Sequence, residues 1–397
     1  MKTLVVVAAG AADRPLEELG GRTPLEAAAT PILDQLAQDG RLGRLVPAPE
    51  GMRPEEGAFA LSIFGLDPLS YGDIGGALDA AAFDIPVGSL DQAFRLSLVT
   101  ADEETIFDPT AGHVSRDEAN LLLQALEEAL GESDFSFHAG TGMRNVLVWR
   151  GARDLRVATV PPFEVVGAKL RNAMPKGTGI GRLLAAIERS ADVLAAHEVN
   201  ELRRDLGENS ASLIWPWGPG VSVPLPDFTA RTGVDAAFVG VHPSFVGAAK
   251  LQKIPTLRPE GATGLPRTNL RAKTTAALEA LETHDLVFLH IDALAAAAHS
   301  RDFVGKVEAL ERIDGYVIGL VQRALAAGLE ARLVVIAGAG VSTETGRHLQ
   351  DPVPFVVAGP GIRSHGRGAL TEVAARDAGF QVDQAHELLD FLLHLPR

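Results

Sequence analysis

The sequence predicts an α/β protein whose parallel-sheet core is built from both ends of the chain, with an α+β domain inserted between them. Three observations predict it: strand and helix patterns alternate near the N-terminus, the alternation returns late, and the region between has a different texture. At 397 residues, the chain exceeds the roughly 250–300 at which one core stops growing. We place the core at residues 1–84 and 256–397 and the insertion at 85–255.

The N-terminal elements come first. Residues 3–9 (TLVVVAA) form a β-branched apolar run that ends at Gly10, which predicts a buried parallel strand followed by a loop. Ligands of open α/β sheets sit at that carboxyl end. Thr30 and Pro31 then open a helix at its N-cap and first position, and Gly40 closes it. A strand followed by a helix is therefore established early.

The same alternation returns near the C-terminus. Periodicity predicts a helix over 273–284, a strand over 285–292, one long amphipathic helix over 301–329, and strands over 332–338 and 352–359. Such an order is typical of a doubly wound parallel sheet.

The middle region carries the pattern of a mixed α+β domain. The apolar segments 94–101 and 145–151 indicate strands, a Ser115–Glu118 capping box opens a helix, and residues 214–226 are rich in Pro, Gly and Trp. We interpret this region as a separate inserted domain.

Composition excludes several partners. Lys and Arg total 36 against 51 Asp and Glu, a net charge of −15, with no long basic run. Binding to nucleic acid or to a membrane surface is therefore not expected, because both need clustered positive charge. A phosphorylated small molecule needs only a few local cations.

Cysteine and targeting signals are also informative. The chain has no cysteine, which excludes disulfides, thiolate metal sites and cysteine nucleophiles. The N-terminus shows no signal-peptide pattern, and no run of about 18 apolar residues suggests a membrane span. We predict a cytoplasmic location.

Several segments, in order along nearly the whole chain, resemble the archaeal-type cofactor-independent phosphoglycerate mutases of the alkaline-phosphatase superfamily. They are residues 12–43, 49–52, 61–68, 108–115, 260–264, 290–299 and 351–355. The resemblance implies an alkaline-phosphatase-like core with an inserted cap domain. It also implies the glycolytic conversion of 3-phosphoglycerate to 2-phosphoglycerate through a phosphoserine, with two Mn²⁺ or similar ions.

Most positions to which the resemblance assigns this chemistry have changed. They hold Ala9, Glu56 in place of the serine, Ala295, Gly338 and Ala339; His299 and His348 remain as residual metal ligands. We therefore predict a pseudoenzyme that keeps the fold and cleft, and we expect no metal cofactor. The alternative is an active metal-dependent mutase or phosphohydrolase that uses ligands not recognised from the sequence.

Glu56 has two interpretations. It is either a third ligand beside His299 and His348, giving a two-histidine, one-carboxylate set, or a solvated loop glutamate, which we favour. In either case we expect both imidazoles to meet near Glu56 at the carboxyl edge of the sheet. Ser62 and His290 are interpreted as core residues.

The resemblance also implies contacts with substrate. Arg14 lies beside the former metal loop, and His113 and Arg144 match cap-domain positions that face the substrate in the family. For Arg144 a surface salt bridge is an equal alternative. The expected partner is a small anionic metabolite or another protein.

Overall fold

The computed structural model describes residues 1–102, 104–131, 134–364 and 368–395. The chain forms two compact units: unit 1 comprises Met1–Ser70 and Leu225–Arg397, and unit 2 comprises Tyr71–Pro224.

Unit 1 begins with β1 (Lys2–Ala8), α1 (Pro24–Ala27), α2 (Pro31–Asp39), β2 (Arg41–Leu45) and α3 (Glu56–Ile63). Unit 2 follows with α4 (Gly75–Ala82), β3 (Gln92–Ala101), β4 (Ile106–Asp108), α5 (Arg116–Leu130), β5 (Phe135–His138), β6 (Asn145–Trp149), α6 (Leu170–Ala173), α7 (Gly181–Ala195), α8 (Glu198–Asp205) and β7 (Leu213–Val221).

The chain then completes unit 1. Its remaining elements are α9 (Phe228–Thr232), β8 (Ala236–Val239), α10 (Pro243–Leu251), β9 (Thr256–Leu257), α11 (Leu270–Thr283), β10 (Leu286–Ile291), α12 (Ala293–His299), α13 (Phe303–Ile313), α14 (Gly319–Ala326), β11 (Ala331–Ile336), β12 (Val353–Ala358), α15 (Glu372–Asp377), β13 (Gln381–Val382) and α16 (Glu387–Leu393).

The sheet of unit 1 has eight strands in the order β13-β2-β12-β11-β1-β10-β8-β9. β1 is central and pairs in parallel with β10 and β11, and its β-branched residues are buried on both faces. β12 runs antiparallel to β11 and β2. Residues 337–352, all described, form no helix. Without the long crossover that parallel pairing needs, the chain returns antiparallel, so the sheet is parallel-rich and not wholly parallel.

Unit 2 is built on a five-stranded sheet in which β4, β3, β6 and β5 are neighbours and β7 pairs with β3. All these pairings are antiparallel. The predicted Ser115–Glu118 capping box is present at the start of α5. The Pro- and Trp-rich segment supplies β7, and Trp215 anchors it by donating from Nε1 to Val160 O at 2.8 Å.

The unit boundaries differ from the positions 84/85 and 255/256 expected from the sequence. β8 pairs in parallel with β10 and so belongs to the unit 1 sheet, while α4 contacts β3 and β7 of unit 2. Both assignments rest on long-range pairing, which local sequence texture does not report.

The long helix expected over 301–329 is broken. α13 and α14 are separated by a π-helical segment, Asp314–Ile318. Asp314 is buried there, and its carboxylate accepts hydrogen bonds from Leu33 N at 2.7 Å and Ile32 N at 3.3 Å. Thr30, the N-cap of α2, makes no capping bond through its side chain. The carboxylate therefore caps α2 from a different helix, which fits the local π-bulge at Asp314 and Gly315.

None of the helices in the described residues is both long and apolar enough to span a membrane. The cytoplasmic location remains a prediction.

Candidate metal centre

A buried carboxylate lies at the first residue of α3. Glu56 is 9% exposed, and three imidazoles surround it. From Glu56 Oε1, the Nε2 atoms of His348, His242 and His299 lie at 3.3, 3.6 and 4.0 Å. We call these four residues the Glu56 cluster.

The sheet explains why these side chains meet. His242 follows β8, His299 ends the helix after β10, and His348 lies in the loop after β11. Carboxyl ends of neighbouring parallel strands share one sheet edge. The rings of His299 and His348 are 5.1 Å apart, and the ligand atoms of Glu56, His299 and His348 all lie within 4.8 Å of one another. The predicted proximity of the two histidines and Glu56 is confirmed.

Electrostatics favour an ionised Glu56. Burial alone would raise the pKa of its carboxyl group, but the charges and hydrogen bonds of His348 and His242 outweigh burial and hold that pKa well below its ordinary value. Because Glu56 is buried, the expectation of a solvated loop glutamate is wrong. The local sequence does not show that α3 places this side chain in the interior. The ligand interpretation is the one that the geometry supports.

A second group of buried polar residues, His290, Asp292 and Lys273, lies next to His242. The rings of His242 and His290 are 5.7 Å apart, and His290 Nδ1 lies 3.4 Å from Asp292 Oδ2. Lys273 Nζ is 4.0 Å from the same oxygen and donates to His290 O at 3.3 Å. Burial opposes ionisation of Asp292, but the His290 charge prevails and lowers its pKa. His290 is a core residue, as predicted.

The other positions named by the resemblance hold packed backbone. Gly10 N donates to Ala339 O at 3.1 Å and Ala9 N to Ile291 O at 3.0 Å. A Cβ on Gly338 would lie 2.4 Å from Ala9 Cα. A Cβ on Gly10 would lie 2.5 Å from Ala295 Cα. Ala9, Ala295, Gly338 and Ala339 supply no side-chain oxygen or nitrogen, whereas Glu56, His299 and His348 form a group that could hold an ion.

The predicted substrate residues have individual surroundings. Arg14 pairs with Asp351 at 2.9 Å, and their side chains are 65% and 55% exposed. His113 is exposed in unit 2 with a positive φ of 55°. Arg144, also in unit 2, precedes β6, and its carbonyl accepts from Thr141 N at 2.9 Å. Their roles in binding stay predictions.

Ser62 is not placed to act as a nucleophile. It is 1% exposed within α3, and its hydroxyl has no hydrogen-bond partner among the residues that the structure describes. A buried hydroxyl without a nearby base is not activated for attack.

Sequence reasoning missed His242. The signal that could have found it is its place just after the apolar run 236–241, because a polar side chain following a parallel strand stands at the ligand-binding edge.

The fold and this cluster define an α/β protein of the alkaline-phosphatase-like class with a carboxylate–imidazole site at the sheet edge. A family model described as 2,3-bisphosphoglycerate-independent phosphoglycerate mutase matches residues 37–200. The chain is 34% identical to a probable mutase of this kind from Geobacter sulfurreducens, covering 99% of this chain and 100% of that protein. It is 35% identical to phosphoglycerate mutase 2 of the same kind from Methanothermobacter thermautotrophicus, covering 99% and 97%. The chain belongs to the 2,3-bisphosphoglycerate-independent phosphoglycerate mutase family.

Solved structures agree with the fold. A Pyrococcus horikoshii protein superimposes with a TM-score of 0.78 at 27% identity, covering 99% of this chain and 97% of its own. The cofactor-independent phosphoglycerate mutase of Thermoplasma acidophilum has a TM-score of 0.58 at 22% identity over the full length of both chains. The predicted alkaline-phosphatase-like fold class and the family resemblance are confirmed.

The expectation of no metal cofactor is wrong. The resemblance of the chain to its family implies divalent ions. Glu56, His299 and His348 form a group able to hold one. That expectation followed from the residues at the other family positions and from favouring a solvated loop for Glu56, which is instead buried beside the two histidines.

Proposed function

We propose that this protein is a metal-binding member of its family that binds a phosphorylated three-carbon acid of the phosphoglycerate class without passing the phosphoryl group through a serine. The observation that carries the proposal is Glu56, a buried carboxylate among imidazoles at the position where the resemblance implies the phosphorylated serine. In this proposal the protein is a non-catalytic relative that retains a ligand site.

The chemical argument concerns charge. Transfer of a phosphoryl group needs positive charge at both the attacking and the leaving oxygen, which a pair of metal ions supplies. Attack by Glu56 would form an acyl phosphate, and Ala9, Ala295, Gly338 and Ala339 offer no side-chain ligand for the second ion. A bound ion at the Glu56 cluster supplies positive charge to a phosphate or carboxylate, so binding is favoured and transfer through a covalent intermediate is not.

The anion contacts in this proposal are those predicted from the resemblance: Arg14, His113 and Arg144. A planar guanidinium holds a phosphate or carboxylate through two parallel hydrogen bonds. A protein partner is a second kind of ligand in this proposal, and we do not expect nucleic acid or membrane to bind, given the net charge of −15.

A second candidate function is that of a working metal-dependent mutase or phosphohydrolase. It is favoured by relatives that are named phosphoglycerate mutases and share 34–35% identity over almost the whole chain. A single metal ion can activate a water molecule for attack on a phosphate ester without any serine. Hydrolysis would therefore survive the loss of the nucleophile more readily than mutase transfer.

The test is incubation of the full chain with 3-phosphoglycerate in the presence of Mn²⁺ or Zn²⁺, followed by ³¹P NMR. Calorimetric titration with 3-phosphoglycerate runs in parallel, and Arg144→Gln serves as a binding variant. We expect metal-dependent binding, weakened in the variant, with neither 2-phosphoglycerate nor free phosphate formed. Formation of 2-phosphoglycerate or of phosphate would establish the second candidate, and absence of both binding and turnover would contradict both.

A further inference from the structure

We infer that Glu56, His299 and His348 bind a single divalent transition-metal ion, with Glu56 itself a ligand, and that the neighbouring place for a second ion is closed by backbone packing. This inference rests on the proposed function and specifies the metal ligands of its site. Its test is independent of that function, because metal stoichiometry is measured without any metabolite.

The hydrogen bond of His299 determines which ring nitrogen of the neutral imidazole can coordinate a metal ion. His299 Nδ1 lies 2.8 Å from Gly346 O, and a carbonyl only accepts, so Nδ1 carries the hydrogen. The other nitrogen, Nε2, then has the lone pair, and it is the atom that faces Glu56 Oε1 at 4.0 Å. Histidine ligands of metals are commonly oriented in this way by a carbonyl on the far nitrogen.

The separations match a coordination shell. Ligands at about 2.0–2.1 Å from a tetrahedral ion lie roughly 3.3–3.5 Å apart. Glu56 Oε1 is 3.3 Å from His348 Nε2 and 4.0 Å from His299 Nε2, so only a small closing movement is needed. Glu56 is the first residue of α3, whose packing fixes its backbone.

The donor types favour particular ions. Two imidazole nitrogens and one carboxylate oxygen suit Zn²⁺, Fe²⁺ or Co²⁺, whereas sites dominated by oxygen suit Mg²⁺, Ca²⁺ and Mn²⁺. Three protein ligands leave a position of the shell open to an exogenous oxygen. We therefore expect Zn²⁺ to bind more tightly than Mn²⁺.

Separate backbone contacts support the inference that no second metal ion binds beside the first. Ala9, Gly10, Ala295 and Gly338 meet backbone to backbone, so that an added Cβ at either glycine would lie 2.4–2.5 Å from a Cα atom. Gly338 also has a φ of 61°, which disfavours any larger residue. Ala9, Ala295 and Gly338 offer no side-chain ligand to a second ion, and a ligand side chain at Gly338 would require the backbone to move.

The experiment uses the full chain, stripped with a chelator and dialysed. Zn²⁺ and Mn²⁺ are titrated calorimetrically, bound metal is counted by elemental analysis, and Co²⁺ substitution is followed by its visible absorption. The variants are Glu56→Gln, which removes the charge, and Glu56→Asp, which keeps a carboxylate on a shorter arm. His284→Gln is the control, because that histidine is half-buried at the end of α11 and lies outside the cluster.

We expect one Zn²⁺ per chain, with affinity unchanged in the His284 variant. Loss of an outer-shell partner costs about 10–100-fold in affinity, so loss of the Glu56 carboxylate should cost more than about 100-fold, with Glu56→Asp in between. The Co²⁺ spectrum should change in both Glu56 variants. Two ions per chain, no bound ion, or full affinity in a folded Glu56→Gln protein would each overturn the inference. If Glu56→Gln fails to fold, the spectrum and affinity of Glu56→Asp decide.

Discussion

Two buried ionic clusters in unit 1 differ in how their atoms are spaced. In the first, which we call the Asp13 cluster (Asp13, Lys306, Thr343 and Glu372), Asp13 Oδ2 accepts from Thr343 Oγ1 at 2.6 Å, Lys306 Nζ at 2.7 Å and Thr343 N at 3.0 Å. In the Glu56 cluster the corresponding separations are 3.3–4.0 Å.

This spacing distinguishes the roles of the two clusters. The Asp13 cluster neutralises its charges with protein donors at hydrogen-bond distance, which is how buried polar groups stabilise a fold. The Glu56 cluster gathers a carboxylate and three imidazoles at 3.3–4.0 Å, close to the separations that ligands keep around an ion. The first joins the loop after β1 to α13 and α15, and the second offers a place for a cation.

The largest effect is expected from Lys306→Met. Burial lowers the pKa of Lys306, and Asp13 opposes part of that shift. Removing the lysine leaves the Asp13 charge buried without its cation, so the free energy of unfolding should fall by about 3–5 kcal/mol in denaturant titrations. The control is Arg14→Gln, which breaks an exposed pair worth less than about 1 kcal/mol. Equal losses of unfolding free energy in the two variants would contradict a stabilising role for the Asp13 cluster.

Gly338→Ala tests whether the backbone beside the Glu56 cluster is closed. Gly338 and Gly20 have similar φ values of 61° and 68°, but only Gly338 meets neighbouring backbone, and nothing lies within 4 Å of a Cβ at Gly20. Left-handed strain of about 1–2 kcal/mol should appear in both alanine variants. Overpacking should add about 1–3 kcal/mol at 338 alone. Equal unfolding free energies of the two alanine variants would mean that the backbone around Gly338 adjusts to an added methyl group at little cost.

Added Zn²⁺ should stabilise the protein only by binding at the Glu56 cluster. A ligand at 100 times its dissociation constant adds about 2.7 kcal/mol to the free energy of unfolding. We expect Zn²⁺ to raise the melting temperature of the wild type and of Lys306→Met, whose starting stability is lower, but not that of His348→Gln. A shift that persists in His348→Gln would place the ion elsewhere.

The smallest effect is a pH dependence of the Asp13 cluster. Burial raises the pKa of Glu372, and hydrogen bonds from Asp13 N and Thr23 offset only part of that rise. Between the ordinary and the raised pKa the folded state holds a proton that the unfolded state has lost. The stability from that proton is present below the ordinary pKa and is lost as pH rises through the raised one.

Glu372→Gln removes this titration, since an amide stays neutral. Its stability relative to the wild type should therefore increase with pH across that window, by on the order of 1 kcal/mol. Denaturant titrations at several pH values measure the difference. A constant difference, or one that shrinks as pH rises, would contradict the role of burial at Glu372.

Strong local patterns predicted much of the fold. β-branched runs located β1, β10 and β11, and the Ser115–Glu118 box located the start of α5, because these signals act within a few residues. The π-helical segment escaped, since it coincides with a contact between Asp314 and a helix about 280 residues away in sequence.

The candidate site was predicted only in part. His299 and His348 could be named from flanking motifs, and their proximity was expected from the family core that the resemblance implies. Glu56 was underestimated because a single glutamate reveals neither its burial nor its three imidazole neighbours. His242 was missed because membership of β8 in the core sheet depends on pairing with β10, which is a tertiary fact.

The position of β1 at the centre of its sheet has a consequence for synthesis on the ribosome. Its partners β10 and β11 end at Ile291 and Ile336, so β1 emerges long before either neighbour exists. At about 5–20 residues per second the delay is on the order of tens of seconds. Unit 2, which ends at Pro224, is complete within that interval and can fold first. Meanwhile β1 presents an apolar segment with both edges unpaired, the kind of nascent chain that chaperones shield from aggregation.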